Sequence, residues 1–504
     1  MTWRMLKEHY LYSDKKNQGK PLIVIGAGTA GAMLVRELER SPEWSVVALV
    51  DDDKKKWGLE LSGRRVEGGI ATLPEVLERW RAKHVILAMP SAPPSTLQRA
   101  TTITTHAGAT VFTVPALSEL MSGRVSINTI RPVKIEDLLG RETVRIDNEH
   151  VAQLLSGKRL LVTGAGGSIG SEICRQLARF NPTTIILVES NEFALYRIEQ
   201  WFKTHYPSTH TVTLAGDVKD RHRMQGIFDN WKPHIVFHAA AYKHVPLMEI
   251  DNAWEAVRNN VLGTLNVAQC AQEAQSEKFI FISTDKAVNP TNVMGATKRL
   301  AEIVCESLYK QNPNTLFEIV RFGNVLGSTG SVIPKFEEQI KNGGPVTVTH
   351  PDITRYFMSI PEAAQLVLQA SAMGKGGEIF VLDMGEPVKI VDLAKNMIQL
   401  SGFTETEILI SFTGLRPGEK LYEELLTDSE TTLETPHEKL RVMRARPTNI
   451  ELFTNIQRWV TESNQKTDVE VRLQLKQWIP EYEPMLSNVQ PCKTSQGTNH
   501  VTTD

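Results

Sequence analysis

One pattern occurs twice in this chain and restricts what it can fold into: an apolar run, a glycine-rich turn, a helical stretch and a second apolar run ending in an acid. The first copy is Pro21–Ile25, then Gly26-Ala-Gly28-Thr-Ala-Gly31, a helix-like stretch, Val46–Val50 and Asp51. The second is Leu160–Val162, then Thr163-Gly164-Ala-Gly166-Gly167-Ser168-Ile169-Gly170, a helix stopped at Asn181-Pro182, Thr184–Val188 and Glu189. Proline stops the helix because its ring pushes the preceding residue out of helical geometry. Short continuous apolar runs read as strands buried on both faces, which is the habit of parallel sheets. Further runs follow at 83–89 and 109–113 after the first copy, and at 210–215, 234–240, 278–284 and 316–322 after the second. The fold class is therefore α/β: two tandem Rossmann-like doubly wound parallel sheets. The second sheet is expected to have about six strands and a smaller mixed α/β substrate-binding cap.

The boundaries read as a lead-in over 1–20, an N-terminal Rossmann-like domain over 21–130 and a linker over 131–157. A second domain with its cap covers 158–450, and a helical extension follows over 451–483. The stretch 484–504, rich in Ser, Thr, Asn and Gln, reads as a disordered tail.

Composition removes several function classes. Lys plus Arg is 56 and Asp plus Glu is 58, so the net charge of −2 gives no broad footprint for nucleic acid or an anionic membrane. The four cysteines, Cys174, Cys270, Cys305 and Cys492, form no CxxC pair. Neither a metal cluster nor a disulfide framework is expected, and a reducing, cytoplasmic location is the simpler reading. No run of about 18 apolar residues is present, so no transmembrane segment is expected. The basic lead-in reads as solvated, with peripheral contact to a membrane surface as its alternative.

The second turn carries the clearer chemistry. Gly164, Gly167 and Gly170 let the backbone turn tightly and approach a pyrophosphate, while Ser168 and Ile169 open a helix whose first N–H groups attract anions. Glu189 stands where an acid accepts hydrogen bonds from an adenine ribose, and no Arg or Lys immediately follows it. That favours NAD over NADP. The first turn, with Asp51, has a similar form, but no catalytic constellation follows it, and a structural or regulatory fold is an equal reading. Ser283-Thr284-Asp285-Lys286 ends an apolar strand, at the edge where parallel sheets bind ligands. Met294 and Lys298 are four apart and share a helix face.

Thr163–Gly170, Asp217-Val218, Ala239-Ala240-Ala241, Asn260, Ser283-Thr284 and Lys298 together resemble the extended short-chain dehydrogenase/reductase family. That family carries Tyr-x-x-x-Lys, and this chain has Met294 at the tyrosine position. A thioether has no proton to exchange, so that role is lost or moved. Thr284-Asp285-Lys286 with Met294–Lys298 is more specifically similar to the large UDP-N-acetylglucosamine 4,6-dehydratases, the CapD-type polysaccharide biosynthesis proteins. His238–Glu249, Arg321–Gly327, Thr354–Met358 and Leu415–Lys420 extend the likeness. Large members carry membrane helices before the first Rossmann unit. This sequence shows none, so a form lacking that anchor is expected.

The resemblance implies a redox-neutral reaction on a UDP-sugar. Hydride leaves sugar C4 for the cofactor, water is lost across C5–C6, and hydride returns to C6. It implies Asp285 as acid for the C6 hydroxyl, Lys286 as base at C5 and Thr284 on the C4 oxygen. Both the acid and the base would need shifted pKa values. Lys298 would hold the nicotinamide ribose, and Met294 would pack against the sugar. Asp217, Val218, Ala239, Ala240, Ala241 and Asn260 would contact the cofactor. Lys243, Asn324, Arg355, Arg416 and Glu419 would bind the substrate, and a homo-oligomer is implied. Blander readings stand beside these: Asp285-Lys286 as a solvated turn, and Arg416 as a loop cation paired with Glu419. The rival functions are a sugar-nucleotide epimerase and a catalytically silent nucleotide sensor.

Overall fold

The computed structural model describes residues 19–113, 130–138, 146–426, 432–444, 450–462 and 464–484. Most of the lead-in and nearly all of the expected tail lie outside these residues. The chain forms two compact units: one within 1–145, 324–362 and 385–414, the other within 146–323, 363–384 and 415–504.

The first unit holds β1 (Lys20–Ile25), β2 (Trp44–Val50), β3 (His84–Leu87), β4 (Thr110–Thr113) and β5 (Arg131–Pro132), in the order β2-β1-β3-β4-β5. The first four are parallel and β5 runs antiparallel to β4. Leu22, Ile23, Val24 and Ile25 are fully buried, as a strand covered on both faces requires. The cap segments 324–362 and 385–414 group with this unit, whereas the sequence pointed to a cap on the second sheet. Helix Ile390–Leu400 packs on helix Pro94–His106, where Thr102 Oγ1 donates to Gln399 Oε1 at 3.0 Å.

The second unit holds β6 (Arg159–Thr163), β7 (Thr184–Glu189), β8 (Thr211–Ala215), β9 (Ile235–His238), β10 (Lys278–Ile282), β11 (Leu316–Arg321), β12 (Glu378–Leu382), β13 (Leu433–Glu434) and β14 (Leu440–Arg444). Their order is β8-β7-β6-β9-β10-β11-β12-β14-β13. Seven strands are parallel, β14 adds antiparallel to β12, and β13 pairs antiparallel with β14. The described sheet thus has nine strands rather than about six, because β12 returns from the cap and a short hairpin covers its edge. Strand order reverses between β6 and β9, so the crevice at their C-terminal ends is the expected ligand position.

Helix Val293–Gln311 is buried on almost every face. Helices Ile450–Thr461 and Asp468–Trp478 lie against it, and Trp254, Trp459 and Trp478 meet edge-on with ring centroids 5.0 Å apart. Its charged residues Lys298, Arg299, Glu302 and Glu306 are buried, Lys298 and Glu302 against the strand ends, and need partners. Among the described residues, no helix is long and apolar enough to cross a membrane.

Candidate active site

The second glycine turn is built so that only glycine fits. Gly164 has φ +64°, and a Cβ there would lie 2.8 Å from Ala240 N. A Cβ on Gly170 would lie 2.1 Å from Gly164 O, and one on Gly166 would lie 2.5 Å from Ala194 Cβ. Helix Ser168–Leu177 starts at Gly167 with no side chain capping it. Glu189, at the end of β7, accepts from Gly166 N at 3.0 Å and from Asn191 N at 3.0 Å. This open cradle, with an uncapped helix start and an acid at the neighbouring strand end, fits a dinucleotide pyrophosphate and ribose.

The strand ends beside it are held by a buried polar chain. Thr163 Oγ1 and His238 Nδ1 are 2.7 Å apart, and His238 Nε2 lies 3.0 Å from Thr264 Oγ1. Burial, reinforced by the Lys298 charge, pushes the His238 imidazole down to about 3. The ring is therefore neutral and structural at ordinary pH.

At the end of β10 the chain enters a short turn. Ser283 Oγ donates to Glu302 Oε1 at 2.6 Å, and Asp285 N donates to Phe322 O at 3.1 Å. Glu302 is itself clamped by Arg321, whose Nε and Nη2 each donate at 2.8 Å, and by Arg299. These cations hold its carboxyl low despite the burial that would raise it. Thr284 Oγ1 and Lys286 Nζ both donate to Asp285 Oδ1, at 2.8 and 3.0 Å. Asp285 is 1 % exposed, and among the described residues its buried Oδ2 has no hydrogen-bond partner. A buried carboxylate oxygen with nothing to accept is costly and calls for a physical reason.

Helix Val293–Gln311 starts against this turn. Asn292 Oδ1 accepts from Gly295 N at 2.7 Å, and a Cβ on Gly295 would lie 2.1 Å from Lys286 O. Met294 and Lys298 are both buried. Lys298 Nζ donates to Ile282 O at 2.6 Å and sits 3.9 Å from the Phe281 ring centroid. Burial drives its ammonium down to about 7, with Glu302 and Cys305 opposing only part of the fall.

A family profile described as "Polysaccharide biosynthesis protein" matches residues 160–445. The chain belongs to that family. Among its relatives, the capsular polysaccharide biosynthesis protein CapD of Staphylococcus aureus is 50 % identical over 444 residues, covering 87 % of this chain and 74 % of CapD. The probable polysaccharide biosynthesis protein EpsC of Bacillus subtilis (strain 168) is 49 % identical over 427 residues, covering 84 % of this chain and 71 % of EpsC. The X-ray structure of Pen from Bacillus thuringiensis aligns with a TM-score of 0.53 at 34 % identity, covering 58 % of this chain and 90 % of that one.

Within this polysaccharide biosynthesis protein, the expected residues separate into groups. Thr284, Asp285 and Lys286 cluster, and Met294 and Lys298 lie on the adjoining helix. Ala239 N and Ala240 N donate to Thr163 O and Thr163 Oγ1 at 3.2 and 3.4 Å, which lays their backbone along the glycine turn. Asn260 braces the protein's own loop: its Oδ1 accepts from Tyr242 N at 2.8 Å, and its Nδ2 donates to Tyr242 O and Thr297 Oγ1 at 3.0 Å. Asp217 accepts from Lys219 N at 2.9 Å, and the carbonyl of buried Val218 accepts from Asn266 Nδ2 at 3.1 Å. Lys243 is exposed on the loop after β9.

Arg416 pairs with Glu419, Nη2 to Oε1 at 3.0 Å and Nε to Oε2 at 3.2 Å, while its side chain stays 53 % exposed. The loop ion pair read from the sequence is thus present. Asn324 and Arg355 belong to the first unit. There Asn324–Val325 pairs with Phe357–Met358, and the buried Arg355 donates Nη1 to Thr354 O at 2.7 Å. Among the described residues, no group of three or more His, Cys, Asp or Glu is arranged to hold a metal.

Sequence reasoning missed Glu423. Its Oε1 lies 3.4 Å from Lys286 Nζ, and its side chain is 4 % exposed. The only sequence signal is its place shortly after Arg416-Pro-Gly-Glu419-Lys420, in a stretch whose charges read as a solvated helix start.

Proposed function

We propose that this chain is a UDP-N-acetylglucosamine 4,6-dehydratase holding NAD at the second glycine turn. The observation that carries this is the Thr284-Asp285-Lys286 cluster at the ligand edge of the sheet, joined to a helix with Met294 where a proton-carrying phenol would stand. An acid and a base lie side by side, while the usual alcohol-to-ketone proton shuttle is absent. The naming of the relatives for polysaccharide biosynthesis supports a glycan precursor as the product's destination.

The glycine cradle would take the pyrophosphate, and Glu189 would accept hydrogen bonds from the adenine ribose. A bound nicotinamide supplies an acceptor that takes up and returns one hydride. The residues of the chain do the rest. Thr284 would hydrogen-bond the C4 oxygen and relay the C4 hydroxyl proton to Asp285 Oδ1, 2.8 Å away, as the hydride leaves. Lys286 would take the C5 proton, made acidic by a C4 ketone. Asp285, protonated in the first step, would give that proton to the departing C6 hydroxyl, and Lys286 would return its proton to C5 as the hydride reaches C6. Lys298 would hold the nicotinamide ribose, and Met294 would give the sugar an apolar wall. A 4-keto-6-deoxy sugar nucleotide results.

Incubation with UDP-N-acetylglucosamine tests the proposal by mass spectrometry. A product lighter by one water is the expected result. An isomer of unchanged mass would indicate an epimerase, and bound cofactor without turnover would indicate a sensor.

A further inference from the structure

Burying a carboxylate at the edge of a polar site is unfavourable unless a cation meets it. Glu423 is buried in this way, and one cation that meets it in the resting site is Lys286, at 3.4 Å. Its neighbours behave differently. Tyr422 is 56 % exposed, while Lys420 and Glu424 pair with each other at 3.0 Å, with Lys420 Nζ also donating to Val288 O at 3.2 Å. The segment is tied to the start of helix Val293–Gln311, because Asn292 Nδ2 donates to Gly418 O at 3.1 Å. A Cβ on Gly418, whose φ is +73°, would lie 2.8 Å from Asn292 Cβ. Glu423 is therefore delivered to Lys286 by a fixed piece of backbone.

Two carboxylates now contact one lysine. Asp285 Oδ1 already accepts from both Thr284 and Lys286. In the reading above, Asp285 is also committed to the C6 hydroxyl. Holding Lys286 is a separate task, and misplacing a reacting group by about 1 Å can slow a reaction about 10²-fold.

We propose that Glu423 is a positioning residue for Lys286, keeping its amine aimed at sugar C5 while Asp285 serves the leaving hydroxyl. This rests on Lys286 being the base. The test compares Glu423→Gln, Glu423→Asp and Lys286→Ala with the wild type, using UDP-N-acetylglucosamine. Turnover, KM, melting temperature and deuterium uptake at C5 in D2O are measured for each. Glu423→Gln should lower kcat about 10- to 100-fold and slow C5 deuterium uptake in parallel, with KM within about twofold. Glu423→Asp should recover part of that loss. Wild-type kcat in Glu423→Gln beside an inactive Lys286→Ala overturns the positioning role alone. Normal turnover in Lys286→Ala overturns the base reading and this role with it. A kcat loss that aspartate does not rescue, accompanied by a lower melting temperature, assigns Glu423 to structure and also overturns the proposal.

Discussion

Replacing Lys298 with methionine should stabilise the protein at neutral pH while destroying the site, and the gain should vary with pH in a defined way. Burial lowers the Lys298 ammonium from 10.5 to about 7. At about 1.36 kcal/mol per pKa unit, this interval corresponds to about 5 kcal/mol. The sign follows from the two protonation states. An unfolded lysine binds its proton as pH falls through about 10.5, but the folded one stays neutral until about 7. Between these values the unfolded state holds the extra proton, so wild-type stability falls by about 1.4 kcal/mol for each unit of falling pH. Below about 7 the loss is complete.

Methionine has no such dependence. It gives up the neutral amine's bond to Ile282 O and leaves that buried carbonyl unmatched, together worth about 2–4 kcal/mol. The variant should therefore be more stable by about 1–3 kcal/mol at pH 7 and less stable at pH 10, with a crossing near pH 7.5–9. Urea unfolding of both proteins across this range measures the difference directly. Parallel stability curves, or a variant less stable throughout, would refute the reasoning.

Asp285→Asn and Lys286→Ala should each lower dehydration by at least about 10²-fold and leave NAD binding intact, as checked by turnover and fluorescence titration. Gly170→Ala puts a methyl 2.1 Å from Gly164 O, so the turn must shift; calorimetry should show NAD affinity reduced by about tenfold or more. Glu302→Gln removes one counter-charge of the buried Arg321 and Arg299 and should remove about 3–5 kcal/mol of stability in urea unfolding.

The parts of the molecule legible in the sequence were those set by local physics. Gly164 and Gly170 announce their turn because no other side chain fits there. The strands β6, β7, β9 and β10 announce themselves because burial on both faces leaves an unbroken apolar run. Met294 and Lys298 share a helix face by periodicity alone, and Arg416 and Glu419 are close enough along the chain for their pairing to be weighed in advance. What stayed hidden depends on distant packing. Asn260 is read from the sequence as a cofactor contact, and its bonds to Tyr242 and Thr297 depend on segments distant along the chain. The charges on helix Val293–Gln311 carry no local mark of burial, because the strand ends that Lys298 and Glu302 meet are distant in sequence, so the Glu302–Arg321–Arg299 network under Ser283 has no local signature. Glu423 reaches Lys286 only because Gly418 and Asn292 bring two distant segments together. The cap segments carry no local mark of the unit they join.

The central claim is that hydride removed from C4 returns within the same site to C6 while a base works at C5. UDP-N-acetylglucosamine deuterated at C4, converted in ordinary water and analysed by NMR, tests this most directly. The account predicts a 4-keto product with the deuterium at C6 and a solvent proton at C5. Deuterium retained at C4 in an isomeric sugar, or found only on released cofactor, would contradict it.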